Sequence, residues 1–186
     1  MTRPIALALC LIPALILPAL AQQSDTQDKP LDVSSSMGDL HVGKDADARA
    51  AGLPAYPGAM AKHEDGNEPL NFALLTEGVG LKLVVAKYES DDAPAKVIAF
   101  YREKLKKYGK VVECHSQKKG SGVEVHDSED SSGSKELKCD DSSGPVTELK
   151  GGTEDDQHIV AIEPRDSGKG SSFAIVYVYS RKKGDL

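Results

Sequence analysis

The stretch LKLVVAKYESDDAPAKVIAFYREKLKKYG, residues 81–109, predicts a β-strand that is followed at once by an α-helix. Residues 81–89 place apolar side chains on both faces of the strand, which is typical of a central strand covered on both sides. The helix is expected over 92–108, because Pro94 lies in its first turn and Gly109 follows its last. The rest of the fold is predicted outward from this unit.

The predicted helix carries one stripe of apolar side chains at the spacing of a buried face. We expect Asp91 or Asp92 to cap its first turn. Lysines crowd its last two turns, where positive charge is favourable to the helix dipole. The stripe consists of Val97, Ile98, Tyr101, Leu105 and Tyr108.

Further strands are expected on both sides of this unit in the chain. They are recognised by β-branched or alternating runs between turns rich in Gly, Asp and Ser. The sum predicts the α+β class: a mostly antiparallel sheet of five to seven strands packed on one main helix, with a long mobile loop at 116–135. The additional strands are predicted at 70–76, 111–115, 137–140, 146–151, 158–163 and 172–181.

A second apolar sheet face is expected, because the last strand alternates aromatic and aliphatic side chains on both sides. Two kinds of cover remain open for this face. The segment 45–59 could supply it, or a second subunit could, which would make the protein a homodimer.

The N-terminus predicts export from the cell. Residues 1–21 have the pattern of a signal peptide: Arg3, an apolar stretch over 5–20, and the cleavage site Ala19-Leu20-Ala21. An uncleaved membrane anchor is the alternative, but the apolar stretch contains two prolines and is shorter than a membrane span. We therefore expect a soluble mature chain that is periplasmic or secreted.

The remaining chain divides into a tether, a domain and a tail. Residues 22–44 are rich in Gln, Ser, Asp and Gly, and we expect a disordered tether because such a composition buries too little apolar surface. Residues 45–182 are predicted to form a single α+β domain, and residues 183–186 a tail.

Two cysteines remain after cleavage, Cys114 and Cys139. An even pair in an exported protein predicts a disulfide. Two free thiols are the alternative.

The chain of 186 residues has a formal net charge of −6. This charge argues against a dedicated nucleic-acid binder, which is normally basic, and against attraction to anionic membranes. No spacing typical of a zinc protease, a phosphate loop or a serine hydrolase is present. We therefore expect no cofactor, no metal ligand and no catalytic residue.

Several local patterns contain residues that could carry chemistry, and each also has a structural interpretation. Asp127–Gly133 matches a calcium loop only loosely, and Gly168–Ser172 fits a polar hairpin turn better than a phosphate loop. The lysine cluster formed by Lys104, Lys106, Lys107 and Lys110 is interpreted as a solvated helix face, with an acidic envelope partner as the alternative. Tyr177 and Tyr179 could face a ligand or pack under the helix.

One resemblance is carried by Leu53 to Ala59 (LPAYPGA), by Lys87 to Pro94, and by Phe100-Tyr101-Arg102-Glu103-Lys104-Leu105 with Tyr108-Gly109. These segments resemble small exported bacterial proteins with a Tyr-Pro-Gly-Ala entry and a Phe-Tyr-Arg-x-x-Leu helix. The resemblance covers roughly residues 50–115. It implies export and a fold, and it implies no catalytic residue because that family has no assigned activity.

The sequence therefore favours a noncatalytic binding or interaction domain of the bacterial envelope. Its partner would be an unknown envelope protein or ligand, met through the sheet or the basic helix face. The alternative is a hydrolase or metal-dependent enzyme whose site is assembled from dispersed Asp, Glu and His residues.

Overall fold

The computed structural model describes residues 29–63, 68–117, 136–139 and 143–181. The predicted signal peptide, the tail at 183–186 and all of the predicted loop 116–135 except its first two residues lie outside the described residues. Among the described residues, no helix is long and apolar enough to cross a membrane.

Nine β-strands and one α-helix form the described part of the chain. A 3-10 turn at Lys106–Tyr108 continues the helix. All strand pairs are antiparallel, and the sheet order is β1-β2-β4-β5-β9-β8-β7-β6, with β3 paired to β5. The elements are β1 (Leu31–Ser35), β2 (Gly38–Gly43), β3 (Met60–Ala61), β4 (Leu70–Thr76), β5 (Gly80–Ser90), α1 (Pro94–Leu105), β6 (Val112–Ser116), β7 (Val146–Thr153), β8 (Asp156–Pro164) and β9 (Ser171–Arg181).

The predicted fold class, α+β with five to seven strands packed on one main helix, is wrong. The sheet has nine strands, and α1 has 12 residues and contacts β7, β8 and β9. The described chain is therefore mostly β-structure, with a short helix that covers one part of one sheet face.

Two of the unexpected strands come from the segment that was expected to be a disordered tether. Residues 31–43 form the hairpin β1–β2, which pairs with β4. The turn requires Gly38, whose φ of 146° is rare for other residues and where a Cβ would lie 2.2 Å from the Leu75 carbonyl oxygen. The composition of this segment is polar because its Ser, Asp and Gly residues outnumber its four strand aliphatics.

The main core lies between the sheet and α1. Val97, Tyr101 and Leu105 of the predicted stripe are fully buried there, as expected. The segment 45–59 packs on this same face, and Ala48 N–H donates to Tyr88 Oη at 2.9 Å. This segment therefore does not cover the second face of the sheet.

The start of α1 differs from the expected cap. Ala93 occupies the N-cap position without a side-chain hydrogen bond. Asp92 is engaged elsewhere, because its carboxylate accepts hydrogen bonds from Lys96 Nζ at 2.7 Å and Tyr56 Oη at 2.8 Å. These two bonds lower the pKa of Asp92.

A disulfide joins Cys114 of β6 to Cys139, the pair that the sequence predicts. The strand expected at 137–140 is absent from its described part, residues 137–139, and Asp140 lies outside the described residues. The disulfide therefore attaches a non-strand segment to the edge strand of the sheet.

Removing this disulfide is expected to destabilise the domain. Because it joins residues 25 apart, opening it returns conformational entropy to the unfolded chain, about 3 kcal/mol. The Cys114→Ala/Cys139→Ala variant should lose about that free energy of unfolding in urea titrations. Two reactive thiols in mature chain purified without reductant would contradict the bond.

Candidate functional site

The strand register divides the sheet into two faces of different character. One is the helix face, on which α1 and the segment 45–59 pack. The other, here called the apolar face, carries apolar side chains from six adjacent strands. Its residues are Leu31, Val33, Leu40, Val42, Leu70, Phe72, Leu74, Leu81, Leu83, Val85, Ile159, Ala161, Ala174, Val176 and Val178.

These side chains form continuous rows across the strands. In one row Leu31 is opposite Val42, Val42 is opposite Phe72, and Phe72 is opposite Leu83, which is opposite Val178. A parallel row runs from Val33 through Leu40 and Leu74 to Leu81. Directly opposed apolar pairs stabilise a sheet, and they make these two rows apolar, whereas Lys87 and Glu89 at the end of β5 lie on the same face.

Exposure increases along the apolar face towards β1. Val176 is fully buried at the centre of the sheet, whereas Leu83 and Val85 are half-buried. At the edge strand β1, Leu31 is 56% exposed and Val33 is 48% exposed. The accessible part of the apolar face therefore lies on β1, β2, β4 and β5.

Among the described elements, neither α1 nor the segment 45–59 reaches this face, since both belong to the core on the helix face. The β1–β2 hairpin is itself divided into a polar side and an apolar side. Its helix-face side chains are polar, such as Asp32 and His41, while its aliphatic side chains all belong to the apolar face. The hairpin thus extends the apolar face without adding to the main core.

Charged groups border the apolar face at its far end. Glu148 of β7 accepts a hydrogen bond from Ser116 Oγ at 2.8 Å, and Lys150 Nζ lies 3.8 Å from its other oxygen. Lys150 is buried in this position. A buried charge needs a partner, and Glu148 is the partner of Lys150. The apolar surface therefore ends where these polar side chains of β7 begin.

The lysine cluster on the helix side is engaged within the protein. Lys106 Nζ lies 2.6 Å from Glu103, and Lys110 Nζ lies 3.0 Å from Glu136. Lys107 Nζ donates to the Gly52 carbonyl oxygen at 2.7 Å, and Lys104 lies over the Phe100 ring. These contacts favour the structural interpretation of the cluster over an acidic partner.

Tyr177 packs inside the domain, in a stack of three rings. His158 lies between Tyr108, with ring centroids 3.5 Å apart, and Tyr177, at 4.7 Å. Burial raises the pKa of Tyr177 to about 12, and the nearby Asp156 adds to this shift. Tyr179 is half-buried on the same face of β9.

His158 attaches the segment 45–59 to the sheet. Its Nδ1 lies 2.9 Å from the Ala51 carbonyl oxygen, a hydrogen bond that requires the proton on Nδ1. Burial lowers the pKa of His158, although this hydrogen bond and Asp156 oppose the shift. Stacked and hydrogen-bonded, the ring serves to hold residues 51 and 52 against β8.

The remaining histidines do not converge. His41 lies between Asp32 and Asp45, His63 is exposed, and His115 lies 4.0 Å from Glu113. His126 lies outside the described residues. Within the described ranges, no group of three His, Cys, Asp or Glu side chains could hold a metal ion.

The other motifs have structural roles or lie outside the described residues. Asp127–Gly133 is outside them. Residues 165–170 form the turn between β8 and β9, closed by a hydrogen bond from Gly168 N–H to the Arg165 carbonyl oxygen. A polar hairpin turn is what the sequence predicts at Gly168–Ser172, although Ser171 and Ser172 already belong to β9.

Two features of this surface were missed in the sequence. The outer strands of the apolar face were hidden in the presumed tether, although Leu31, Val33, Leu40 and Val42 alternate on either side of Gly38. That alternation was the available signal. The His41 site was missed with them, because it forms only when the hairpin closes.

Comparison of the chain with family models, with curated proteins and with solved structures found no match. The resemblance to small exported bacterial proteins therefore stays a prediction.

Protonation of His158 is expected to destabilise the fold. Because the folded pKa lies below the ordinary value of 6.5, this contribution to stability is present above pH 6.5 and is lost as pH falls through the folded pKa. His158→Asn should lose about 1 kcal/mol at neutral pH, since it removes the ring stacking, and should show a flatter pH profile. Urea titrations of the wild type and His158→Asn at several pH values test this, with His63→Asn as a control at an exposed histidine. If the free energy of unfolding changes equally with pH in all three chains, the prediction is contradicted.

Proposed function

We propose that this chain is a noncatalytic binding domain of the bacterial envelope that meets an apolar partner through its apolar face. The observation that carries the proposal is the set of apolar rows across six strands, with exposed Leu31 and Val33 at the open edge. Contiguous exposed apolar surface is typical of interaction sites.

The shape of this surface favours a broad partner. A small ligand is normally enclosed in a concave site that buries most of its surface. The accessible rows instead lie on a sheet that ends at a strand with all residues exposed, β1. A protein surface or a lipid-like assembly matches such a face better than an enclosed metabolite.

The contacts on the helix side also favour the apolar face as the interaction surface. Its lysines are paired with Glu103 and Glu136 or bound to the Gly52 carbonyl oxygen. The ring of His158 is used to hold the chain together. Ile159, Ala174, Val176 and Val178 of the apolar face are buried in a second hydrophobic cluster, so the surface on offer is its exposed end at Leu31 and Val33.

A single charge placed on the open edge tests the proposal. Val33→Lys puts an ammonium group on the apolar face, whereas Leu75→Lys puts one on the helix face opposite Asp39, and the two side chains are 48% and 44% exposed. The mature chain and both variants are immobilised and exposed to envelope extract. We expect Val33→Lys to lose the captured species and Leu75→Lys to keep them.

A third variant separates the two sides of the domain. Lys104→Ala/Lys106→Ala alters the helix side and should leave capture unchanged. Circular dichroism and urea titration establish that each variant is folded. Equal capture by wild type and Val33→Lys, or loss of capture in the helix variant alone, would contradict the proposal.

A further inference from the structure

His41 lies between two carboxylates at the open end of the sheet. Its Nδ1 is 2.6 Å from Asp32 Oδ1, on the directly opposite residue of β1, and its Nε2 is 3.4 Å from Asp45 Oδ1. A neutral imidazole carries one N–H, so one nitrogen would present its lone pair to a carboxylate. The imidazolium has a donor at both nitrogens: Nδ1 bonds Asp32, and Nε2 is buried near Asp45 without a hydrogen bond, an ion-pair distance that fits the charged form.

The charges around His41 are dominated by carboxylates. Asp32 faces it from β1 and Asp45 from the segment after β2, while Asp39 lies two residues away on the same face of β2. From β4, Asn71 Nδ2 donates to Asp45 at 3.3 Å. Lys82 of β5 is two strands away, with Ala73 of β4 between it and His41.

The pKa of His41 is raised above its ordinary value of 6.5, chiefly by the hydrogen bond to Asp32. Partial burial opposes the shift and Asp45 adds to it. The shift agrees with the geometry of the two carboxylates.

The backbone keeps Asp45 within reach of His41 through Gly43. A Cβ at Gly43 would lie 2.5 Å from Asp45 Oδ1 and 3.1 Å from His41 Nε2. Glycine at this position therefore leaves the space in which the second carboxylate sits.

This cluster is a side-chain connection between an edge strand and the rest of the sheet. β1 pairs with β2 along one side, and all five of its residues are exposed. The Asp32–His41 pair joins β1 to β2, and the Asp45–Asn71 hydrogen bond continues to β4. β1 is retained mainly by its five-residue pairing with β2, and because it has few buried contacts this side-chain connection adds to that pairing.

We propose that the charge of His41 sets how firmly β1 is held on the sheet, and with it how often Leu31 and Val33 leave the apolar face. This inference rests on the proposed function, since it regulates the same surface. Below pH 6.5 His41 is charged and β1 is held. As pH rises through the folded pKa, the charge is lost and β1 loosens.

Amide hydrogen exchange of the mature chain tests the connection without any partner. Between about pH 5.5 and about pH 8.5, β1 protection, corrected for intrinsic exchange, should fall about fivefold, the upper range for an exposed ion pair. Protection in β5 and β9 should stay constant. His41→Gln should remove the pH dependence, and His63→Gln, at an exposed histidine, should keep it.

Unchanged β1 protection over this range, or a pH response that survives in His41→Gln, would overturn the inference. Asp32→Asn gives a second test, because it removes the carboxylate and keeps the neighbouring backbone. It should also flatten the β1 response.

Binding of Nile red, an uncharged apolar probe, links the connection to the surface. Wild type should bind less of it as pH rises, whereas Val33→Lys should bind little at either pH. If exchange follows His41 but Nile red binding does not change with pH, regulation of the apolar face is overturned. If the apolar face captures nothing while amide exchange of β1 still depends on His41, the proposed function is wrong and the role of His41 stands.

Discussion

The fold depends on the pairing of β5 with β9. Eleven residues of each strand pair without interruption, from Gly80 opposite Arg181 to Ser90 opposite Ser171. Because side chains alternate between faces, a slip of one residue would exchange the core side chains with those of the apolar face. Both faces of the molecule are therefore set by one register, and burial of the helix face under α1 holds that register in place.

The sequence was sufficient to predict the elements with strong periodicity. The helix stripe was correct for Val97, Tyr101 and Leu105, and six of the nine strands lay close to their predicted positions. The hairpin β1–β2 was not predicted, since a composition argument treats a strand with one polar face as unstructured chain. The predicted strand number and fold class were wrong for this reason. Both depend on recognising the strands whose sequence pattern is weakest.

The candidate site was harder to predict, because it depends on partners that are remote in the chain. The lysine cluster could be read from the sequence, but Lys110 meets Glu136, which follows 26 residues later. His158 meets Ala51, at a separation of 107 residues. Residue types indicate which chemistry is available, whereas the tertiary pairing decides which groups are already engaged.

The two halves of the sheet differ in what they contribute to the core. Around β7, β8 and β9, the helix face is buried by α1, and substitutions there disturb the core. Around β1 and β2, the helix face is polar and the aliphatic side chains lie on the apolar face, so this half adds little to the main core. A strand that contributes little to the stability of the domain can open while the rest of the domain stays folded. The part of the sheet that costs the core least to move is thus the part that carries its most exposed apolar surface, which is why we propose that a local charge such as that of His41 acts there.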